Sequence, residues 1–209
     1  MKDLNKTIRR SQQYWFDDGL VELLLGLLFL VLSGLFWWQV VSDSEYAPLV
    51  GGIAMPFIII LGSILMGVAL RWLKQRPVYP RTGYVTYVKP TNRQRGMSGL
   101  LGLIIGIVMA VAVTQFELAK LTAAFIGAGL GFGLFLIGNH MGVLRFHLLA
   151  IWAVASGVLI TFLGVDESLA ATLALGLVGL GMMLSGGFAF WRYWQNSEPG
   201  NDEPMEALS

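Results

Sequence analysis

The amino-acid sequence predicts an all-α integral membrane protein with six transmembrane helices. Of its 209 residues, 56% are hydrophobic and only 13% are charged, whereas roughly a quarter of the residues in soluble domains are charged. Six apolar stretches are each about long enough for a helix that crosses roughly 30 Å of hydrocarbon. The predicted spans are Leu20–Val41, Ala47–Leu73, Ser98–Phe116, Leu118–His140, Val143–Val165 and Leu169–Trp191.

The basic residues lie on one side of the predicted spans. If the N-terminus is cytoplasmic, all of the 14 Lys and Arg residues except Lys120 fall in cytoplasmic segments or at cytoplasmic span ends. Positively charged segments stay on the cytoplasmic side of a membrane. We therefore expect both termini to be cytoplasmic in a bacterial-type inner membrane. The outer connections are short and acidic, with Asp43, Glu45, Glu117, Asp166 and Glu167.

Short connections between most of the spans predict three antiparallel helical hairpins, which together form a domain over residues 19–194. Residues 1–18 are expected to form an amphipathic helix at the membrane surface, because Leu4, Ile8 and Trp15 share one helical face. The tail 195–209 is acidic and rich in small polar residues, a composition typical of disorder.

The longest polar connection, residues 74–97, is strongly basic. It contains six Lys and Arg residues, no acidic residue and three tyrosines. Two β-like segments flank a Pro80–Gly83 turn, so we expect a small cytoplasmic β-hairpin. Such a loop binds anionic lipid headgroups, docks a cytoplasmic partner protein, or recognises a phosphorylated small molecule. Its candidate binding residues are Tyr79, Arg81, Tyr84 and Tyr87, and nothing in it indicates nucleic-acid binding.

Small residues recur one helical turn apart in several spans, which allows close approach of helix backbones. We expect intramolecular packing, with homo-oligomerisation through the fourth span as the alternative. The repeats are Gly102, Gly106 and Ala110 in the third span, Gly127/Gly131 and Gly129/Gly133 in the fourth, and Gly181/Ser185 in the sixth.

Apart from Lys120 at the outer end of the fourth span, the ionisable groups within the spans lie at the predicted cytoplasmic ends. They are Glu22, Arg71, Arg145 and His147, with His140 at a boundary. A short carboxylate inside a span needs a partner, and for Glu22 we expect Arg71, Arg145, Arg192 or a loop arginine. The empty middle of the membrane argues against ion-coupled transport. We predict no metal site and no cofactor.

The segment Gly96-Met97-Ser98-Gly99 resembles the nucleophile motif of rhomboid intramembrane proteases. The resemblance covers four residues and implies a serine nucleophile paired with a histidine on another helix. His140 and His147 would lie near the same membrane face as Ser98.

Three classes of function follow. The favoured one is a non-enzymatic membrane protein that binds lipid, an apolar ligand or a partner protein through its cytoplasmic face. Its working residues would be Glu22, Arg71, Arg145, both histidines and the loop residues named above. The alternatives are a passive channel or small-solute transporter, and an intramembrane serine hydrolase.

Overall fold

A computed structural model describes residues 16, 18–42, 46, 55–74 and 118–196. These residues form five α-helices that are long and apolar enough to cross a membrane, and they contain no β-strand. For these residues, the expectation of an all-helical fold with several helices long and apolar enough to cross a membrane is confirmed. The helices are α1 (Leu20–Val41), α2 (Met55–Leu73), α3 (Thr122–Met141), α4 (Leu144–Leu163) and α5 (Glu167–Asn196), and a 3-10 turn, Leu118–Leu121, precedes α3.

The helix bounds agree closely with the predicted spans. The first span has the predicted bounds, and α3 and α4 differ from theirs by four residues or fewer at each end. The last helix runs to Asn196, beyond the predicted end at Trp191, so Gln195 and Asn196 are helical rather than part of the tail. Several predicted elements lie outside the described residues: most of the N-terminal surface helix, residues 47–54, the basic loop, the third span, and the tail from residue 197.

The first and last of these helices, α1 and α5, pack against each other along most of their length. Gly26 of α1 faces Gly179 of α5 so closely that a Cβ atom on Gly26 would lie 2.8 Å from the Gly179 carbonyl oxygen. Nearer the ends of this antiparallel pair, Gly186 faces Gly19, and the Ser33 hydroxyl donates a 2.8 Å hydrogen bond to the Thr172 carbonyl. Small residues are therefore what allow the two backbones to meet.

A second close crossing joins α3 to α4. A Cβ atom on Gly127 would collide with the Ala153 carbonyl oxygen, and one on Gly157 would collide with that of Ala123. The Gly127/Gly131 repeat thus packs within the chain, as expected. Gly133 has open space beside it. The turn between these helices is short because Gly142, with φ 71°, adopts the left-handed conformation that ends α3.

The helices share a common end, called here the Asp18 end, at which α1 and α4 begin and α2, α3 and α5 finish. Lys74, after α2, meets Asp18, just before α1. Phe16 makes an edge-to-face contact with Phe146 in the first turn of α4, with the ring centroids 5.5 Å apart. At the opposite end, Ala123 of α3 packs with Ala170 of α5.

Apolar side chains fill the space between α3, α4 and α5. The largest buried cluster includes Leu134, Phe146, Leu149, Val178 and Met182, and Met182 is completely inaccessible to solvent. Aromatic and branched side chains on the outer faces are exposed, as expected for helices whose surroundings are lipid. Among the described residues, the buried charged side chains are Asp18, Glu22 and Lys74, and all three lie at the Asp18 end.

A polar cluster and pocket at the Asp18 end

Asp18 and Lys74 form a buried ion pair where α1 begins and α2 ends. Their Oδ2 and Nζ atoms are 2.7 Å apart, and the side chains are 3% and 2% exposed. The other carboxylate oxygen of Asp18 accepts a 3.2 Å hydrogen bond from the Leu20 backbone N–H, so the same residue caps the first turn of α1. Gly19, with φ 68°, makes the turn between them. This pair fixes the end of α2 against the start of α1.

Glu22 lies one turn into α1 and is 1% exposed. Its Oε2 atom accepts a 2.7 Å hydrogen bond from the Ser185 hydroxyl on α5. Its Oε1 atom lies 3.5 Å from Nη2 of Arg145 on α4, and no described residue donates a hydrogen bond to it. The prediction that Glu22 needs a basic partner is confirmed, and the partner among the predicted arginines is Arg145.

Arg145 connects three parts of the chain. Its Nη2 atom donates a 2.7 Å hydrogen bond to the Phe16 carbonyl while the same nitrogen approaches Glu22. The side chain is 27% exposed, so it is partly buried by protein and partly open. A cation placed in this way neutralises a buried carboxylate and still presents N–H donors to its surroundings.

The open side of Arg145 borders a pocket of about 320 Å³ between α4 and α5. This space, the Arg145 pocket, has mainly apolar walls, and the hydroxyl or charged side chains among its described lining residues are Ser185 and Arg145. Both of those side chains also contact Glu22, which lies behind them. The remaining wall includes Leu148, Leu149, Trp152, Gly181 and Leu184.

Trp152 is positioned by its own hydrogen bond. Its Nε1 atom donates to the Leu177 carbonyl at 2.9 Å, and a Cβ atom on Gly181 would lie 2.5 Å from that nitrogen. Gly181 therefore makes room for the indole. This explains why a tryptophan lies inside a span rather than at its end, where most tryptophans of this chain lie.

The two histidines predicted as binding residues are not among the contacts of Glu22. His147 lies on the α3 side of α4, where its ring meets Phe135 edge-to-face with centroids 5.4 Å apart and its Nδ1 atom is 3.4 Å from the Val143 carbonyl. His140 is exposed in the last turn of α3. Among the described residues, no group of three or more His, Cys, Asp or Glu side chains is arranged to hold a metal ion.

His147 instead borders an apolar groove of about 640 Å³ between α3 and α4. We call it the α3–α4 groove. Both small and large apolar residues line it. They include Ala128, Gly131, Phe132, Phe135, Ile151 and Val154.

The other predicted site residues are less informative. Arg71 is an exposed side chain in the last turn of α2. Tyr79, Arg81, Tyr84, Tyr87 and Ser98 lie outside the described residues.

Sequence reasoning missed Asp18, Lys74 and Ser185. The sequence gives no partner for Asp18, indicates Lys74 only as the start of the basic loop, and indicates Ser185 only as a small packing residue. One signal was present for Ser185, since it lies near the predicted cytoplasmic end of its span, at the same depth as Glu22. For Lys74 no comparable signal exists, because a lysine at a span end is ordinary.

In the part of the chain that the structure describes, the protein is therefore all-helical, its apolar helices suit a membrane, and its buried charged side chains lie at one end. No protein-family model matches it, and neither a curated protein nor a solved structure does so.

Proposed function

We propose that this protein is a non-enzymatic, multi-pass protein of a bacterial-type inner membrane that binds an anionic amphiphile, such as a phospholipid, in the Arg145 pocket. One observation carries the proposal: a partly exposed arginine side chain, Arg145, lines a pocket with apolar walls. Ligand sites combine apolar walls with a few well-placed polar groups in this way. Anionic headgroups of the cytoplasmic leaflet would supply the charge.

The proposed orientation places the Asp18 end in the cytoplasm, with both termini on that side. It is supported by the many Lys and Arg residues in the N-terminal segment and in residues 74–97, both of which adjoin helix ends at the Asp18 end. In that orientation Arg145 lies at headgroup depth. The apolar filling between α3, α4 and α5 favours a binding role over a passive channel.

A sixth span is also proposed, from the positions at which the described helices end. Lys74 lies at the Asp18 end, whereas α3 begins at the opposite end, beside α5. Residues 75–117 must therefore pass from one end of the bundle to the other. A helix over the predicted span 98–116 would cover roughly 28 Å at 1.5 Å per residue, which is about the required distance.

We place this span in the α3–α4 groove, because the span ends next to the start of α3 and the groove runs along α3. The small-residue repeat Gly102, Gly106 and Ala110 would face the groove, which Phe132 borders near its middle. A second copy of the chain is the competing occupant, as the alternative of oligomerisation through α3 requires.

Disulfide crosslinking tests this placement cleanly, because the chain has no cysteine. In membranes, Phe132→Cys combined with Gly106→Cys should form an intramolecular disulfide under mild oxidation. The pair Phe132→Cys and Val108→Cys is the control, since two residues along a helix point away from each other. Equal crosslinking of both pairs would contradict the placement, and a covalent dimer from Phe132→Cys alone would assign the groove to a second copy.

Lipid binding is tested by native mass spectrometry of the protein in a neutral detergent. We expect dioleoyl phosphatidylglycerol to bind at least about tenfold more tightly than dioleoyl phosphatidylcholine, because charge-assisted hydrogen bonds are each worth about 1.5–3 kcal/mol. The double variant Glu22→Gln/Arg145→Gln should lose this preference. It removes the cation without leaving a buried carboxylate unpaired.

The matched control is Arg192→Gln, which removes an exposed arginine from the same end of α5. This variant should keep the preference for phosphatidylglycerol. Unchanged selectivity in the double variant would refute the proposal. Inorganic phosphate is the third probe: if it competes as strongly as the lipid binds, the site recognises a free anion and not an amphiphile.

A further inference from the structure

We propose that Glu22 is a built-in competitor of the ligand, and that the anionic headgroup takes its place as the counter-ion of Arg145. The inference rests on the proposed function of the Arg145 pocket. It adds a regulatory element to that site, because the strength of the internal ion pair then sets the affinity for the ligand.

The geometry of the internal pair is that of a loosely held partner. Nη2 of Arg145 lies 3.5 Å from Oε1 of Glu22, but 2.7 Å from the Phe16 carbonyl oxygen. Charge-assisted N–H···O bonds between paired ions are usually about 2.7–2.9 Å long. Oε1 accepts no hydrogen bond from any described residue. The attraction between the two side chains is therefore electrostatic, without the hydrogen bond that would hold Arg145 to Glu22.

The two partners differ in their freedom to move. Glu22 is 1% exposed, and Ser185 holds its other oxygen at 2.7 Å. Arg145 is 27% exposed and borders the pocket. Exchange of partners therefore requires a rotation of the arginine side chain toward the pocket, which releases its hydrogen bond to the Phe16 carbonyl, while Glu22 stays in place.

Binding of an anion beside Glu22 is opposed by electrostatic repulsion. Asp18 and Glu22 contribute two negative charges, and Lys74 and Arg145 contribute two positive charges. These two ion pairs are thus balanced without a ligand, and a bound anion adds one negative charge close to Glu22. Like charges brought together in a partly buried site oppose each other. Removal of the Glu22 charge should therefore favour the bound anion.

The variant Glu22→Gln tests the exchange, because glutamine keeps the shape and can still accept the Ser185 hydrogen bond. In the native mass spectrometry titration, its affinity for dioleoyl phosphatidylglycerol should rise by about fivefold or more, as is typical of coupled binding. Its affinity for dioleoyl phosphatidylcholine should not change. If Glu22 only stabilised the fold, its replacement would leave the binding of the anionic lipid unchanged or make it weaker.

A second variant covers the case in which Glu22→Gln does not yield folded protein. Glu22→Asp keeps the charge but withdraws it from Arg145 by one methylene group, so a smaller rise in affinity for phosphatidylglycerol is expected. Affinity that falls or stays constant in the folded variants overturns the exchange. If the Glu22→Gln/Arg145→Gln variant still discriminates between the two lipids, the proposed function itself fails. If that variant loses discrimination while Glu22→Gln gains nothing, only the exchange fails.

Discussion

Replacement of Gly26 by valine should destabilise the protein by about 3 kcal/mol or more, since overpacking of a tight interface typically costs 1–3 kcal/mol and sometimes exceeds it. The added Cβ would lie 2.8 Å from the Gly179 carbonyl oxygen and 2.9 Å from the Met183 backbone nitrogen. Backbone atoms cannot move aside as a flexible side chain can. Valine therefore forces α1 away from α5.

The measurement is the melting temperature in detergent, monitored by circular dichroism and by the onset of aggregation. Gly34→Val is the matched control on the same helix, because a Cβ atom there meets nothing within 4 Å. Both substitutions change the helix propensity and hydrophobicity of α1 equally. Similar melting temperatures for the two variants would show that α1 and α5 are not in close contact.

Replacement of Lys74 by methionine should cost about 3–5 kcal/mol, the usual cost of leaving a buried charge without its counter-ion. Asp18, at 3% exposure, would lose the ammonium group that lies 2.7 Å from its carboxylate. Methionine keeps most of the length and the apolar stem of lysine. The loss would therefore arise from charge and hydrogen bonding and not from a cavity.

Addition of Asp18→Asn to this variant should restore much of the stability, because asparagine is neutral and can still accept the hydrogen bond from the Leu20 N–H. Lys120→Met, at an exposed lysine, should leave the melting temperature almost unchanged. If Asp18→Asn gives no rescue, the contribution of Lys74 comes from contacts other than this ion pair.

The sequence was sufficient to predict the helices and the general position of the site. Apolar length alone located Leu20–Val41 with the bounds that the structure has, because a membrane demands a continuous apolar helix. The clustering of Glu22 and Arg145 at one end was predictable from their depth in the spans. The cost of an unpaired carboxylate also restricted the partners of Glu22 to a few arginines.

The neighbours of each helix were not predictable in the same way. Short connections indicated hairpins of consecutive spans, yet in the described residues the most extensive packing of α1 is with α5. Which helices meet depends on small residues that are far apart in sequence, such as Gly26 and Gly179. Glycines occur on many faces of these helices, so their positions do not select one pairing. For the same reason, the sequence does not predict that His147 faces α3 while Glu22 faces α5.

The pairing of α1 with α5 has a consequence for biogenesis. During synthesis, α1 enters the bilayer well before the ribosome has made Ser185, Gly179 and Gly186. Until α5 is made, Gly26 of α1 lacks the close contact with Gly179, and Glu22 lacks the hydrogen bond from Ser185. Its basic partner Arg145 is made earlier, with α4. The nascent protein therefore depends on lipid, water or the insertion machinery to shelter this carboxylate. The burial of the Glu22 carboxylate against Ser185 is therefore complete only after α5 has been synthesised.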